Sequence, residues 1–338
     1  MADRASIKDV AAAAGVSYKT VSRVVNSVAT VDPAIRARVE AAISELHYVP
    51  NATARALKTG SPSTVGVLVD SIDDVFFSAV VSAIEDQALA HGLGVVVAST
   101  GHDPEREREQ LLRLIGQHVL GVVLSPSGGP LDYFSPYRAT VPVVAVDRPA
   151  EGYDAVLVDD FSAARDVVTL LISSGHRRIG LLGWDPSYVT AARRRAGYEA
   201  ALAQEGIAFD GELVPPVMSA TPAAVMALQT LLSLHEAPSA LFVSNARHAA
   251  AVVAELHRLD RTDVALVSFG DFLLAETVRP SVTCVDQDPY EIGSVALERL
   301  LSLATQGSSA PVARLLPTQL LIRQSHLVGV AAGGGGGL

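Results

Sequence analysis

Close to the start of the chain, the stretch VSYKTVSRVVN (Val16 to Asn26) gathers Lys19 and Arg23, the hydroxyls of Ser17, Thr20 and Ser22, the phenol of Tyr18 and the amide of Asn26. No nucleophile is paired with a base here. Cations and hydrogen-bond donors on one short segment suit phosphates and base edges instead. Elsewhere the charged groups Asp73-Asp74, Asp147-Arg148 and Arg193-Arg194-Arg195 punctuate an apolar sequence. Signatures of enzymes are weak. Gly128-Gly129 and the Ile179–Gly183 run form neither GxGxxG nor a phosphate-binding loop. Nine histidines are scattered without HExxH, and the single Cys284 rules out a disulfide framework or thiolate cluster within one chain. His176 reads as a turn-ordering residue and Asp73-Asp74 as a solvated pair. No catalytic residue, no metal and no cofactor is expected.

Positioning such groups takes folded domains. At 338 residues, 49% apolar and 18% charged, the chain is globular in composition and long enough for two or three domains. Residues 1–60 carry eight Lys and Arg against five Asp and Glu, a net +3, and the remainder carries −13. A small basic head on an acidic body fits a nucleic-acid reader whose body stays off the polymer. Met1 to Asp9 is polar, without the apolar segment of a secretory signal, and no apolar run reaches the roughly 18 residues of a membrane span. A soluble, cytoplasmic protein with no membrane partner is expected.

In the head, Ile7 to Ala14 reads as a helix capped by Ser6, with Asp9 in its first turn. Gly15 and Val16 make a tight turn, and Ser17 caps a second helix that turns Val21, Val24 and Val25 inward. Asp32 and Pro33 start a third helix with Ile35, Val39, Ile43 and Leu46 at helical spacing. Asn51 can cap a further helix running to about Lys58, ended by Gly60 and Pro62. That segment is too short to be stable alone, since isolated helices are marginal even at about 12–15 residues.

The first 60 residues resemble the DNA-binding head of the lactose/galactose repressor family, in IKDVAAAAGVSYKTVSRVVN and again in ELHYVPNATARALK. The resemblance implies a second helix in the major groove and a hinge helix that folds only on operator DNA. By position, Tyr18, Lys19 and Arg23 would read bases, and Ser6, Ser17, Thr20, Ser22 and Asn26 would hold phosphates. In the hinge, Asn51, Ala54 and Leu57 would meet the DNA, Leu57 as an apolar wedge in the minor groove and Ala54 as the small contact between paired hinges. The implied partners are double-stranded operator DNA, a small-molecule effector and a second copy of the chain in a homodimer.

From Thr64 the pattern changes to apolar runs (TVGVLV, GVVVAS, GVVLS, PVVAV, RIGLLG, ALFVS, VALVS) alternating with helices over Phe77–Ala90, Pro104–His118, Phe161–Ser174, Ala192–Glu205, Ala223–Leu234, Ala246–Leu259 and Pro289–Leu303. This predicts an α/β body of parallel sheets covered on both faces. The resemblance implies a periplasmic-binding-protein-like body of two lobes. The expected organisation is a helix-turn-helix domain over 1–48, a hinge over 49–61, a body over 62–330 and a flexible tail over 331–338. One lobe would combine about 62–160 with 288–318 and the other 161–287 with 319–330, the chain crossing near Asp159–Asp160, Asp286–Asp288 and Thr318–Leu321.

Ligands of such sheets sit beyond the strand carboxyl ends. Positions carried over to an effector site are Asp70, Phe76, Phe77, Asp147, Thr190, Arg194, Asn245, Arg247, Asp271 and Gln287, with Thr190 on a loop and Arg194 at a loop-to-helix junction gripping a ligand hydroxyl or carboxylate. Three departures stand out: Asn245-Ala246-Arg247 in place of Asn-Asp, Phe269-Gly270-Asp271 with the usual carboxylate missing or shifted by one, and Met218 in place of a stacking aromatic. They leave the effector as a sugar or, with a carboxylate and a stacking face lost, a modified metabolite, anionic or phosphorylated, contacted by Arg194 and Arg247. The tail lacks leucine heptads, so a dimer is expected. A transcriptional repressor is the function read from these features. The alternative is a sugar-receptor-type binding protein without regulatory DNA binding.

Overall fold

The computed structural model describes residues 5–25, 30–48, 62–183, 185, 188–216, 221–307 and 310–329. Asn26, Asn51, Ala54, Leu57 and Met218, with the expected hinge helix and tail, lie outside the described residues. The chain divides into two compact units, 1–63 and 64–338.

The first unit holds three helices, α1 Ile7–Ala14, α2 Tyr18–Val25 and α3 Pro33–Glu45. Ser6 and Asp9 form a reciprocal capping box at the start of α1, and Gly15 closes it in the left-handed conformation at φ 61°. Arg38 reaches from α3 to donate to the Ala14 carbonyl at 2.5 Å, placing a cation at the negative end of α1. Asp32 accepts from the amides of Ala34 and Ile35, and Pro33 occupies the first turn of α3. Val10, Ala11, Ala14, Val21, Val24, Val39 and Ala42 form a small buried core.

The body carries two sheets. The first has the order β10-β5-β4-β3-β1-β2, all parallel, built from β1 Thr64–Val69, β2 Gly94–Ser99, β3 Val122–Leu124, β4 Val143–Val146, β5 Asp154–Val158 and β10 Ala313–Leu316. The second, β11-β9-β8-β7-β6, uses β6 Ile179–Leu182, β7 Ala240–Val243, β8 Ala265–Phe269 and β9 Thr283–Asp286 in parallel, with β11 Gln319–Leu321 antiparallel at its edge. Each strand alternates its side chains between two cores. Val65, Val67 and Val69 of β1 pack under α4 Val75–Ala90 and α10 Pro289–Gln306, whereas Leu68 turns toward α5 Pro104–Gly116. In the second sheet, α6 Asp160–Ser173 and α7 Val189–Gln204 cover one face, and α8 Thr221–Leu232 and α9 Ala246–Arg258 cover the other.

The chain passes from one sheet to the other after β5, between β9 and α10, and between β10 and β11. Two glycines set the helix spacing. A Cβ on Gly197 would stand 2.3 Å from the Phe161 carbonyl oxygen, and one on Gly293 would stand 2.4 Å from that of Val80. The pairs α6–α7 and α4–α10 therefore touch backbone to backbone. Helix α7 begins at Val189 rather than Ala192, so Thr190 and Arg194 lie one turn apart on a helix and not on a loop.

The final segment is tied down by two buried histidines. His176 Nε2 donates to the His326 carbonyl at 3.2 Å, and Nδ1 shares a hydrogen bond with Ser239 at 3.0 Å. Thr283 accepts from the Arg323 amide and shares a hydrogen bond with His326 Nδ1 at 2.8 Å. Burial holds both rings below the usual histidine pKa, which favours their neutral forms. A lowered folded pKa means that the unfolded chain binds protons first as pH falls. The stabilisation is complete above pH 6.5, the ordinary value, and is lost as pH drops through the lowered folded values. Thermal denaturation should show a Tm that falls from pH 6.5 to 5, with a shallower fall in the His176→Gln, His326→Gln double variant. Equal slopes would remove these residues from the acid response.

Candidate functional site

On the head, α2 presents Tyr18, Lys19 and Arg23 at the surface, while Val21 and Val24 point into the core. Ser17 accepts from the Thr20 amide at 3.2 Å and shares a hydrogen bond with its hydroxyl at 2.9 Å, so these two residues begin the helix. Ser6 is exposed and serves the capping box, and Ser22 is half-buried. Arg23 Nη2 donates to Thr30 at 2.6 Å, which fixes the direction of its guanidinium. The result is a helix with one apolar face inside and a cationic, hydroxyl-bearing face outside.

In the body, a cavity of about 280 Å³ lies between the two sheets at the carboxyl ends of their strands. This is near the lower end of small-molecule sites. Asp70, Phe76, Phe77, Asp147 and Arg148 line it from the first lobe. Thr190, Arg194, Asn245 and Arg247 line it from the second, and Gln287 from the crossover.

Arg148 organises the first wall. Its side chain is 5% exposed, and all five of its N–H groups have partners. Nε donates to Asp147 at 2.9 Å, Nη1 to the Pro126 carbonyl at 2.8 Å and to His102 Nδ1 at 3.0 Å, and Nη2 to Ser125 at 3.0 Å and to Asp70. A guanidinium that donates to His102 Nδ1 requires the ring proton on Nε2. Burial pushes the Asp70 carboxyl up, but the charge and hydrogen bond of the Arg148 guanidinium pull it down, and it sits below the usual carboxylate range. Asp147 takes a left-handed φ of 66°, a conformation costing on the order of 1 kcal/mol outside glycine, and its bond to Arg148 holds it there. Its Oδ1 has no partner among the described residues.

The second wall rests on Arg194. Its Nε donates to the buried Asp160 at 2.7 Å and its Nη1 to the Ser244 carbonyl at 2.6 Å, while the guanidinium lies 3.8 Å from the centre of the Phe269 ring. Nη2 has no partner among the described residues. Burial raises the Asp160 carboxyl, with Asp147 adding like charge and Arg194 opposing both. The neighbours of Arg194 do not share its role: Arg193 is exposed, and Arg195 pairs with Glu199 at 2.7 Å.

Several residues have other duties. Asn245 caps α9 through the His248 amide at 2.8 Å as well as facing the cavity. Phe77 is 6% exposed and belongs to the first lobe's core, with Phe76 edge-on to it at 5.1 Å. Gln287 is 5% exposed, and its amide has no partner among the described residues.

Two placements depart from the sequence reading. Asp271 is not in this cavity: both its oxygens accept from Arg323, at 3.0 and 2.7 Å, and it faces a neighbouring pocket beyond Gln287. The glycine before it explains this, because Gly270 occupies the position against Ala246 and Gln287 and leaves its successor pointing to β11's flank. Arg247 lines the cavity but pairs with Asp73 at 2.8 Å and Asp74 at 3.5 Å. Sequence reasoning also passed over His102, Ser125, Asp160 and Tyr188. The first two follow the ends of β2 and β3, where the strand-end rule points. No local signal marks Tyr188, whose ring stacks on His102 with centroids 3.6 Å apart and 15° between planes.

A helical head with an exposed cationic helix, followed along the chain by a two-lobed α/β body with a polar cleft, is the domain composition of a class of regulatory proteins. Residues 6–51 match the model of bacterial regulatory proteins of the lacI family, and residues 168–326 match a periplasmic binding protein-like domain. The ribose operon repressor of Escherichia coli K12 is 33% identical over 310 residues, which cover 89% of this chain and 94% of that one. Catabolite control protein A of Priestia megaterium is 30% identical, covering 95% and 98%. A lac repressor dimer bound to operator and the anti-inducer ONPF superposes with a TM-score of 0.82 at 28% identity, covering 96% and 100%. The chain belongs to the lacI family of bacterial regulatory proteins and is a transcriptional regulator. Among the described residues no helix is long and apolar enough to cross a membrane.

Removing Arg148 strands two carboxylates in a half-dry wall. Arg148→Met should cost about 3–5 kcal/mol in denaturant unfolding. Arg148→Lys should recover less than half of that, because three donors replace five. Full recovery by lysine would show that charge alone, and not the five-fold bonding, holds the wall.

Proposed function

We propose that this regulator is a repressor that binds a two-fold-symmetric operator as a homodimer, and that a neutral polyhydroxy compound between its lobes controls it. One observation carries the choice of effector: every cation at the cleft is committed to an aspartate, while groups of mixed donor and acceptor character are left over. Arg148 is saturated, Arg194 is held by Asp160, and Arg247 is held by Asp73 and Asp74. An anionic effector would have to share one of these guanidinium groups with the carboxylate that already neutralises it, or displace that carboxylate. A hydroxyl both donates and accepts. It therefore suits Asp147 Oδ1 as acceptor, Arg194 Nη2 as donor and the Gln287 amide as either, with Phe76 beside the cavity as an apolar surface for a ring. A relative of 30% identity and TM-score 0.68, covering 95% of this chain, has been solved as a cellobiose complex, which supports this class of ligand.

On the head, the exposed Arg23 is the residue assigned to bridge guanine O6 and N7, exchanging its bond to Thr30 for the base, a contact that discriminates by about 1–3 kcal/mol when bidentate. The lac repressor solved as an operator-bound dimer supports the same mode of assembly.

Two outcomes are expected. In calorimetry with neutral pentoses, hexoses and disaccharides beside their phosphorylated counterparts, binding should be confined to neutral compounds, and Asp147→Asn should weaken it roughly tenfold or more. Saturable binding of the phosphorylated compounds alone would overturn the effector assignment. Arg23→Ala should flatten base preference at one position of each half-site in a DNA selection. An unchanged preference would remove Arg23 from base readout.

A further inference from the structure

Arg247 stands in the first turn of α9, where the exposed amides of a helix N-terminus present partial positive charge. A cation there is unfavourable unless an anion answers it. The answer comes from the other lobe: Nη2 lies 2.8 Å from Asp73 Oδ1, and Nε lies 3.5 Å from Asp74 Oδ2. These carboxylates stand at the N-terminus of α4, which favours negative charge, and Asp74 caps that helix through the Phe76 amide at 3.0 Å. Ser71 donates to Asp73 and orients it. Two positive helix ends thus meet at the lip of the cleft, with two carboxylates and one guanidinium between them.

The lobes touch again where Tyr188, at the start of α7, stacks on His102, with the Arg148 guanidinium 5.0 Å from the centre of the Tyr188 ring. That second contact is held in place by the saturated Arg148 cluster. The Arg247 contact is not. Asp73 is 79% exposed and Arg247 35% exposed, so solvent and salt reach the pair easily.

We infer that Arg247, Asp73 and Asp74 form an electrostatic latch between the lobes, one that sets how much of the protein has its cleft closed and does so without contacting the effector. Exposed ion pairs shift equilibria by about two- to fivefold. That is too little to hold the fold together. It is ample to bias two lobe arrangements that lie close in free energy, since a ligand acts on such an equilibrium only through its differential affinity for the two states. Salt weakens this pair, so the closed population falls as ionic strength rises. The functional meaning of the latch rests on the cleft being the effector site, but the latch itself is read without any effector.

The test uses the full-length protein with spin labels on Glu105→Cys in the first lobe and Glu205→Cys in the second, mixed with excess unlabelled chain so that one labelled copy is observed at a time. Cys284 is fully buried and its thiol is pushed up to about 12, so it does not compete for label. In pulsed dipolar distance measurements at low salt, Arg247→Ala and Asp73→Ala should each raise the open-to-closed ratio about two- to fivefold. Adding Asp73→Ala to Arg247→Ala should change nothing more. Raising the salt should open the original protein toward the Arg247→Ala distribution and leave that variant unmoved. Unchanged distances in Arg247→Ala, or fully additive effects of the two substitutions, would overturn the latch. Failure of every sugar to bind in calorimetry would instead count against the effector reading and leave these distances to decide the latch.

Discussion

One buried guanidinium holds the first wall of the cleft together. Arg148 spends five N–H groups on Asp147, His102, Pro126, Ser125 and Asp70, and these residues follow the carboxyl ends of four different strands. Parallel strands deliver their last residues to one edge of the sheet, and the loops there would diverge without a common partner. A planar group with five fixed donors supplies one at low entropic cost, because its geometry is set before any bond forms. It also places His102 flat against Tyr188. The inner surface of one lobe and one of its contacts with the other therefore depend on a single residue.

The second wall has a different construction. Arg194 is anchored by Asp160 at the first turn of α6 and by the Ser244 carbonyl after β7. It reaches both because Gly197 lets α7 lie against α6. The two lobes thus meet as separately stiffened surfaces, joined by three short crossovers and a few side-chain contacts. Regulators need this arrangement, since lobes that are rigid inside and weakly coupled across the cleft convert small changes at the lip into rotation of one lobe on the other.

How far the sequence foretells this structure depends on the range of the interaction concerned. Local signals are reliable: Ser6 and Asp32 cap the helices whose starts they mark, Gly15 ends α1, and the apolar runs fall on strands. Short strands at a sheet edge or next to one are harder to read. DAVLV, TCVD, ARLL and QLL lack length or alternation, and pairing partners far along the chain make them strands. For the cleft, position along each strand brings Asp70, Asp147 and Gln287 to the right edge. What pairs with what is beyond it. Arg247 looks like a free cation in sequence because Asp73 is 174 residues away, and Asp271 looks like a cleft carboxylate because Arg323 is 52 residues away.

The claim on which the rest stands is that the exposed face of α2 reads DNA on behalf of a two-lobed sensor. The decisive measurement is enrichment of randomised duplex DNA by the full-length protein at two salt concentrations. Two inverted half-sites should emerge, with an affinity that drops steeply between the two salts as phosphate counterions are released. Absence of any enriched sequence, or an enriched single site whose affinity ignores salt, would contradict it.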